Sequence, residues 1–470
     1  MGGETLKSDG RKRYIDANLA EYGQEAHDLS FISESGAFDA EQIREKALRD
    51  LKETISFLSK DTKPAYGQLS PGCRICGEGA WSCLFINGKC NCRCFYCPTV
   101  QDDISIPTTN RISFNRSIDY ADYAGHFGFK GASISGGEPL LTLDRALDYI
   151  QAVRKKMGER YHIWLYTNGT LLTHDHALKL REAGLNEIRF DISAARYDLS
   201  KISMAKGVIP VITVEIPAIP EDRKLLSDLI PKMAEAGVGY LNLHQLRLTP
   251  FNCNNLKKRP YTFLHGPKVT VLESELMALS LLQEASLKKW PLSINYCSFV
   301  YKNRFQGAGT RARNARFIVK DHESITENGY IRTLSLSGPP EKIISNAEAL
   351  TNRGNDPKLF SLTGKKDQLF FHESLWPEMN VERLSLSVSY GEAFLTPSVS
   401  YRHLFKEVPV NAGKKIIVEK RIVLPEQPMT QEDQALFEKR VLQRIEASPP
   451  SHESAIAPFE WIEAGLQTYF

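Results

Sequence analysis

The strand-like run Cys83-Leu-Phe-Ile-Asn87 leads directly into Gly88-Lys-Cys90-Asn-Cys92-Arg-Cys94-Phe-Tyr-Cys97-Pro98. The run is short and almost continuously apolar, which is typical of a buried strand, and the loop after it carries thiols at positions 90, 94 and 97. Three thiolates on one loop can ligate three irons of a [4Fe–4S] cluster and leave the fourth iron open to an external ligand. Clustered thiolates also hold structural zinc, so the residues leave both metals open.

Five further apolar runs follow the first one and alternate with helical patterns. The six strand candidates are residues 83–87, 131–135, 161–166, 187–192, 211–216 and 240–243. Helical periodicity occupies residues 119–128, 142–158, 174–184 and 222–237. This alternation predicts a parallel sheet, open or curled into a barrel, with its chemistry at the carboxyl ends of the strands.

The composition of the 470 residues is that of an ordinary globular protein. Apolar residues make up 42% and charged residues 24%, which excludes wholesale disorder. Lys and Arg number 59 against 56 Asp and Glu, and a net charge of +3 makes no demand for nucleic acid or an anionic membrane. We find no secretory signal and no run of about 18 apolar residues, so we expect a cytoplasmic protein without a membrane-spanning helix.

A second motif follows the next predicted strand: Ser133-Ile-Ser-Gly136-Gly137-Glu138-Pro139-Leu140. Together with Cys90, Cys94 and Cys97, and an aromatic residue before the last cysteine, it makes the chain resemble the radical S-adenosylmethionine (SAM) superfamily. In that superfamily the segment holds the amino group of SAM. Glycines let the backbone approach a ligand closely, and a carboxylate accepts hydrogen bonds from a cationic amine.

Two further segments carry the same resemblance, Leu165-Tyr-Thr-Asn168-Gly169 and Arg189-Phe-Asp-Ile-Ser193, each at the end of a predicted strand. The resemblance implies that Cys90, Cys94 and Cys97 ligate the cluster. It implies SAM contacts from Tyr96, Gly136, Gly137, Glu138, Asn168 and Ser193. It identifies no residue that acts on the substrate.

The resemblance also implies a fold and a mechanism. The fold is a partial (β/α)6 barrel with an N-terminal helical lead-in and a β-rich C-terminal region. A [4Fe–4S] cluster, reduced by a donor such as flavodoxin or ferredoxin, cleaves SAM to methionine and a 5′-deoxyadenosyl radical, which takes a hydrogen atom from a peptide, protein or metabolite that the sequence does not name. Two alternatives stay open: a methyl or aminocarboxypropyl transferase on the same cluster, and a non-catalytic zinc-stapled binding module.

Three segments between about residues 70 and 340 are similar to an uncharacterised group related to pyruvate formate-lyase activating enzymes. They are Pro71-Gly-Cys-Arg-Ile-Cys-Gly-Glu-Gly79, Tyr240-Leu-Asn-Leu-His-Gln-Leu-Arg247 and residues 294–306. The group has no assigned substrate, so the similarity informs on architecture more than on function.

Seven of the nine cysteines lie between residues 73 and 97. In a chain without a secretory signal we expect reduced thiols rather than disulfides. Cys73 and Cys76 form a C-x-x-C pair that has two interpretations. They begin an auxiliary iron–sulfur or mononuclear metal site, completed by Cys297, Cys253 or Cys92, or they are core thiols.

Polar side chains near the ends of the later strands have open interpretations as well. Glu215 either faces the cofactor or caps the barrel mouth, while His244 and Arg247 either line a substrate pocket or support residues that do. Arginines 304, 311, 313 and 316 either bind a carboxylate or phosphate of a substrate or form a solvated basic loop.

We predict four segments along the chain. They are an N-terminal helical segment at 1–70, the radical SAM core at 71–250, a helix and a basic glycine-containing loop at 251–316, and a β-rich region at 317–470 that is a candidate for substrate binding. The helices within them are predicted at 39–60, starting at Asp39, and at 272–288 and 430–446.

The β-rich region contains one hairpin signal. Asn328-Gly329 predicts a turn between strands at 317–319 and 330–336. Further strands are predicted at 384–390 and 415–424.

Overall fold

The computed structural model describes residues 3–102, 106–445 and 454–470. The chain forms two compact units, a larger one of Ser8–Gln306 with Glu463–Phe470 and a smaller one built chiefly from Gly307–Ile462. None of the helices in the described part of the chain combines the length and apolarity that crossing a bilayer requires.

The larger unit is built on one long sheet. Its strands are β1 Ser56–Leu58, β2 Lys63–Tyr66, β3 Trp81–Asn87, β4 Thr108–Thr109, β5 Ile112–Ser113, β6 Gly131–Gly136, β7 His162–Thr167, β8 Glu187–Phe190, β9 Val211–Pro217, β10 Tyr240–His244, β11 Phe263–Leu264, β12 Thr270–Val271 and β13 Ser293–Cys297. All but β11 and β12 join this sheet, in the order β1-β2-β13-β10-β9-β8-β7-β6-β3-β4-β5.

The central seven strands, from β13 to β3, pair in parallel. Six of them are the predicted strands, which are therefore confirmed, and β13 is a seventh. Within the described residues β13 and β3 do not pair with each other, so the parallel set stays open as a partial barrel does. Parallel strands are covered on both faces, and their apolar side chains are buried accordingly, as with Leu84 and Ile86 of β3.

Helices connect these strands in the predicted alternation. The helices of the larger unit and its N-terminal extension are α1 Gly3–Tyr22, α2 Glu34–Leu51, α3 Pro71–Gly77, α4 Ser117–His126, α5 Leu143–Met157, α6 His174–Ala183, α7 Arg223–Glu235, α8 Cys253–Leu256, α9 Leu272–Lys288 and α10 Phe299–Tyr301. Because the connected strands run parallel, their carboxyl ends all lie at one edge of the sheet.

The prediction for the N-terminal segment was wrong in its bounds. Helix α2 begins before Asp39, because the hydroxyl of Ser33 accepts a hydrogen bond from the Gly36 amide at 3.1 Å and caps it. It also ends at Leu51, and the chain enters the short strand β1 instead of continuing to residue 60. Helix α1, in a stretch without strong apolar periodicity, was not predicted.

The smaller unit contains a seven-stranded antiparallel sheet. Its strands are β14 Glu323–Ile325, β15 Ile331–Ser337, β16 Phe360–Leu362, β17 Gln368–Phe371, β18 Ser385–Thr396, β19 Leu404–Asn411 and β20 Lys414–Pro428. Their order is β16-β17-β15-β18-β20-β19, with β14 paired to β15. Its helices are α11 Gly307–Ala315, α12 Pro340–Asn352, α13 Gln431–Phe437 and α14 Ala457–Glu460.

Three predictions for this region need correction. The hairpin turn at Gly329 is real, with φ at +80°, but its first strand is β14 and not residues 317–319. The basic stretch is helical: a π-helical turn at Lys302–Gln306 precedes α11. The closing helix continues from α13 as a π-helical turn at Glu438–Leu442, and its predicted end at residue 446 lies outside the described residues.

Candidate active site

The cysteine loop leaves the carboxyl end of β3 as predicted, and amide groups surround its sulfur atoms. The Cys92 backbone N–H lies 3.4 Å from the Sγ of Cys90, and the side-chain amide of Asn168 lies 3.8 Å from the same sulfur. The Nε2 of Gln101 is 3.8 Å from the Sγ of Cys97. N–H donors aimed at sulfur favour the thiolate form and tune iron–sulfur clusters.

Gly136 and Gly137 let the cysteine loop cross the end of β6 in close contact. A Cβ atom on Gly136 would lie 2.2 Å from the Asn87 carbonyl oxygen, and one on Gly137 would lie 2.0 Å from that of Lys89. The Glu138 amide donates to the same Lys89 oxygen at 2.7 Å. Any side chain at these two positions would therefore push the cysteine loop away. The sequence analysis expected the two glycines to make room for a ligand, whereas in the structure they make room for this loop.

The carboxylate of Glu138 is fully buried and accepts hydrogen bonds from other residues of the chain. Its Oε1 accepts from the Leu140 amide at 3.0 Å and the Thr167 hydroxyl at 2.8 Å, and its Oε2 accepts from the Asn168 amide at 2.7 Å. Burial raises the pKa of Glu138, and these hydrogen bonds oppose the rise. The carboxylate thus fastens the end of β6 to the end of β7, and its contact with the SAM amine stays a prediction.

Tyr96 and Ser193 meet at the carboxylate of a further residue, Asp191. The Tyr96 hydroxyl lies 3.0 Å from one Asp191 oxygen and 2.5 Å from the Ser193 hydroxyl, which donates to the other Asp191 oxygen at 2.5 Å. Burial and the Asp191 charge raise the pKa of Tyr96, so it remains a proton donor. Asp191 lies in a quoted motif but was not itself predicted as a site residue.

The structure therefore gathers the predicted cluster and SAM residues at the carboxyl ends of four neighbouring strands, β3, β6, β7 and β8. Asn168 joins two of these ends, because its side-chain amide donates to the Asn91 oxygen of the cysteine loop at 2.8 Å. Each role assigned to these residues by resemblance stays a prediction, while their proximity is observed.

A second polar group lies beside them, on strands β8, β9 and β10, and sequence reasoning missed its connectivity. Arg189 is buried and donates to Glu187 at 2.8 Å and to Glu215 at 2.5 Å. The other oxygen of Glu215 lies 2.6 Å from the Nε2 of His244, whose Nδ1 lies 2.7 Å from the Nζ of Lys302. Glu215 therefore joins Arg189 to His244, and its two predicted roles, facing the cofactor or capping the barrel mouth, stay predictions.

The charges of this group fix its protonation. Burial alone would raise the pKa of Glu187, but the Arg189 cation lowers it to about 2. Burial and the neighbouring Lys302 cation lower the pKa of His244. Neutral His244 donates a hydrogen bond from Nε2 to the Glu215 carboxylate and accepts one at Nδ1 from the Lys302 ammonium. These two partners select the tautomer that carries its proton on Nε2.

Cys73 and Cys76 lie on α3, which packs against this second polar group. A Cβ on Gly72 would lie 2.3 Å from Arg189, and the Gly72 amide donates to Glu187 at 3.0 Å. Burial raises the pKa of both thiols, and Gln306 lies 2.8 Å from the Sγ of Cys76. The auxiliary metal site predicted for the pair stays a prediction.

Within the described ranges, no three His, Cys, Asp or Glu side chains form a group that could hold a metal ion. A [4Fe–4S] cluster takes each thiolate at a different iron, so its ligands need not converge on one point. All nine cysteines are free thiols.

The four arginines proposed for anion binding do not form one loop. Arg304 is bonded to the Glu463 carboxylate and to carbonyl groups of residues 463–465, and Arg311 is bonded to Asn328. Arg304 belongs to the larger unit, whereas Arg311, Arg313 and Arg316 belong to the smaller one.

Comparison with protein families supports the resemblance that the sequence motifs indicated. Residues 84–210 match the family model of the radical SAM superfamily. This chain carries a radical SAM domain. It is an enzyme of the radical SAM class, whose members bind a [4Fe–4S] cluster and SAM. The matched residues contain both the cysteine loop and the Gly136–Glu138 segment.

Two curated relatives extend the likeness of the radical SAM domain. A protein of Methanocaldococcus jannaschii, provisionally named a glycyl-radical enzyme activating enzyme, is 28% identical over 362 residues, which cover 73% of this chain and 94% of that protein. The GTP 3′,8-cyclase of Staphylococcus aureus is 33% identical over 115 residues, covering 24% of this chain and 33% of the cyclase.

Among solved structures, Streptococcus suis SuiB bound to SAM superposes on the chain with a TM-score of 0.36 at 12% identity. The superposition covers 65% of this chain and 68% of SuiB. At that TM-score it carries no inference about fold or function.

The residues of the radical SAM domain fit the cluster its family binds. Three half-buried thiols share one loop, N–H groups face the Sγ atoms of Cys90 and Cys97, and glycines allow the loop to lie against β6. Burial raises the pKa of Cys94 to about 12, so the free thiol stays protonated at neutral pH. Metal binding must displace that proton, which makes cluster assembly more favourable as pH rises.

Proposed function

We propose that Cys90, Cys94 and Cys97 ligate a [4Fe–4S] cluster and that the enzyme uses it to generate a radical from SAM. When bound, the cluster and SAM supply one chemistry: an electron from a donor such as flavodoxin or ferredoxin cleaves the sulfonium to methionine and a 5′-deoxyadenosyl radical, which takes a hydrogen atom from the substrate. The substrate is a peptide, a protein or a metabolite.

The observation that carries this proposal is the contact between the cysteine loop and the Gly136–Glu138 segment. The Glu138 amide is bonded to the Lys89 oxygen, and the two glycines leave no room for a side chain between the loops. The thiols and the segment that we assign to SAM therefore adjoin each other. Such preorganisation places reacting groups side by side.

The remaining site residues have positioning tasks in this proposal. Asn168 holds the loop through Asn91, and Tyr96 and Ser193 present hydroxyl groups around Asp191 that suit the polar parts of SAM. The Glu138 carboxylate already holds the ends of β6 and β7 together. In this proposal the ammonium group of SAM is therefore bound by backbone carbonyl groups of the segment as well as by this carboxylate. A cytoplasmic location, where thiols stay reduced, suits the loop.

The test is anaerobic reconstitution followed by two measurements, iron and sulfide content and the nucleoside formed from SAM under a strong reductant. About four irons per chain with 5′-deoxyadenosine as product support the proposal. Additional iron that disappears when Cys73 and Cys76 are replaced adds the auxiliary site.

Other outcomes contradict the proposal in distinct ways. Methylthioadenosine as the product indicates aminocarboxypropyl transfer on the same cluster. Zinc without iron, and no nucleoside product, overturns the assignment of the three cysteines.

A further inference from the structure

The segments that follow β10 and β13 are fastened together at the carboxyl edge of the sheet. The two strands are parallel neighbours, with His244 in register with Cys297. Beyond their ends, the side-chain oxygen of Gln245 accepts a hydrogen bond from the Phe299 amide at 2.9 Å. Side chains that follow either strand therefore share one region of the edge.

Lys302 is oriented by the second polar group but forms no direct ion pair with its carboxylates. Its Nζ donates one hydrogen bond, to the Nδ1 of neutral His244, and it forms no ion pair with any described carboxylate within 4 Å. An ammonium group has three N–H donors, so two of them are available to a ligand. The chain that holds this lysine in place runs from Lys302 through His244 and Glu215 to buried Arg189.

Arg247 is a second cation at this edge; the charge of Glu21 acts on it, but no described carboxylate pairs with its guanidinium within 4 Å. Its guanidinium is half-buried and has neither a hydrogen bond nor an ion pair among the described residues, whereas buried Arg44 and Arg189 each pair with carboxylates. Burial lowers the pKa of Arg247. Loss of water around a cation is costly unless another group replaces the water.

The two cations meet at one aromatic ring. The Cζ of Arg247 lies 5.3 Å from the centre of the Phe299 ring, and the Nζ of Lys302 lies 5.6 Å from it. Both distances allow a cation–π contact, but a single ring does not neutralise two positive charges. An oxyanion bound by both cations would give each of them the ion pair that no described carboxylate supplies within 4 Å.

The backbone at Arg247 is also joined to the cysteine loop. The side-chain amide of Asn252, which is fully buried, donates to the Arg247 carbonyl at 3.1 Å and to the Tyr96 carbonyl at 3.0 Å. One residue thus joins the backbone of Arg247 to the loop that we assign to the cluster.

We propose that Arg247 and Lys302 form an anion subsite that holds an oxyanion of the substrate, a carboxylate or a phosphate, beside the radical centre. The subsite rests on the proposed function, since that function supplies the reaction that the anchored substrate undergoes. Arg presents a planar fork that suits both oxyanions, and Lys adds a point charge. The substrate class is therefore an anionic molecule or an anionic segment of a peptide.

The test is equilibrium dialysis of the reconstituted full-length enzyme against two labelled probes, succinate and inorganic phosphate, with saturating SAM present. We expect the wild type to bind one anion per chain, and Arg247→Gln and Lys302→Gln to weaken binding about tenfold or more each. Arg247→Lys keeps the charge and should retain most of the affinity. The matched control is Lys224→Gln, an exposed cation on α7, which should bind like the wild type.

Tighter binding of succinate assigns the subsite to a carboxylate, and tighter binding of phosphate assigns it to a phosphate. The proposal is overturned if the wild type binds neither probe, or if Lys224→Gln loses as much affinity as the other two glutamine variants. A parallel dialysis without SAM checks for competition: a probe that binds only when SAM is absent also overturns the proposal, because the pair would then hold the cofactor carboxylate.

Formation of 5′-deoxyadenosine by the same preparations separates the two proposals. A wild type that makes 5′-deoxyadenosine but binds no anion leaves the proposed function standing without the subsite. A wild type that binds the anion at Arg247 and Lys302 but never cleaves SAM overturns the proposed function instead.

Discussion

The two halves of the sheet's carboxyl edge are built by different physical means. At the ends of β3, β6, β7 and β8, backbone groups meet backbone groups, as where the Glu138 amide bonds the Lys89 oxygen and glycines remove side chains from the contact. Beside them, on β8, β9 and β10 and in the segment after β13, charged side chains meet one another, from Arg189 through Glu215 and His244 to Lys302.

This difference separates tasks within one edge. Backbone contact requires particular short sequences. Only glycine fits where a carbonyl oxygen lies about 2 Å from the place that a Cβ atom would take, and such sequences recur as motifs. A charge network needs only complementary side chains at the right positions, and many sequences supply them. The first half suits a ligand set common to a superfamily, and the second half suits a substrate that varies.

Replacing a proposed cluster ligand should have the largest effect on activity, and it should alter only the first half of the edge. Cys94→Ala removes one of three proposed thiolates, so we expect no 5′-deoxyadenosine above background and a lowered iron content. Mass spectrometry of the nucleoside products and iron analysis check the result. Cys92→Ala, in the same loop, is the control and should keep both properties; a fully active Cys94→Ala would refute the ligand assignment.

Removing Arg189, the central cation of the second half, should lower the free energy of unfolding. Arg189→Leu leaves Glu187 and Glu215 buried without their shared partner, and loss of one member of a buried pair costs about 3–5 kcal/mol in the free energy of unfolding. Urea denaturation measures it. An exposed arginine, Arg49, paired only with exposed Glu45, offers the control Arg49→Leu, for which we expect less than about 1 kcal/mol. Equal losses in the two variants would contradict the role of the network.

Filling the loop contact should have an intermediate effect. Gly137→Ala places a Cβ 2.0 Å from the Lys89 oxygen, so the cysteine loop must move, at a cost of about 1–3 kcal/mol. We expect loss of iron and of SAM cleavage, with a fall of a few degrees in the melting temperature of the apo protein. Gly239→Ala, whose Cβ would meet nothing closer than 3.9 Å, should load iron normally. An iron content in Gly137→Ala equal to that of Gly239→Ala would show that the contact is dispensable.

The smallest effect concerns acid stability. The pKa of Glu187 is about 2 in the folded protein, below its ordinary value of 4.5, so its charge stabilises the fold fully above pH 4.5 and loses that contribution as pH falls toward 2. The difference in unfolding free energy between the wild type and Glu187→Gln should therefore be constant above pH 4.5 and narrow below it. Denaturation at stepped pH tests this, and a difference that widens in acid would contradict the sign.

The first half could be predicted from the sequence because its residues lie in four short motifs. Cys90, Cys94, Cys97 and the Gly136–Glu138 segment were named from spacing and resemblance, and the structure brings them together. What spacing could not reveal is the engagement of the Glu138 carboxylate, which depends on donors from Thr167 and Asn168 on another strand. A motif names the residue and not the partner that the fold supplies.

The second half was named only in fragments. Glu215, His244 and Arg247 were singled out, but no pattern connects them with Lys302 or Arg189, because their contacts span tens of residues along the chain. The basic stretch after residue 302 misled the reasoning toward Arg304, whose side chain is bonded to Glu463 and its neighbours. The sequence shows where charged residues occur, but only the fold determines which of them lack an oppositely charged partner.

The amide of Asn252 has a consequence for the order of events during synthesis. The carbonyl of Tyr96 finds its partner 156 residues later in the chain, so the cysteine loop cannot adopt its final form on a ribosome that has released only its first hundred or so residues. Domains fold as units while their N-terminal parts wait for later contacts. Iron delivered to a nascent chain would meet an unfinished loop, and maturation of the enzyme should follow, and not accompany, translation of the sheet.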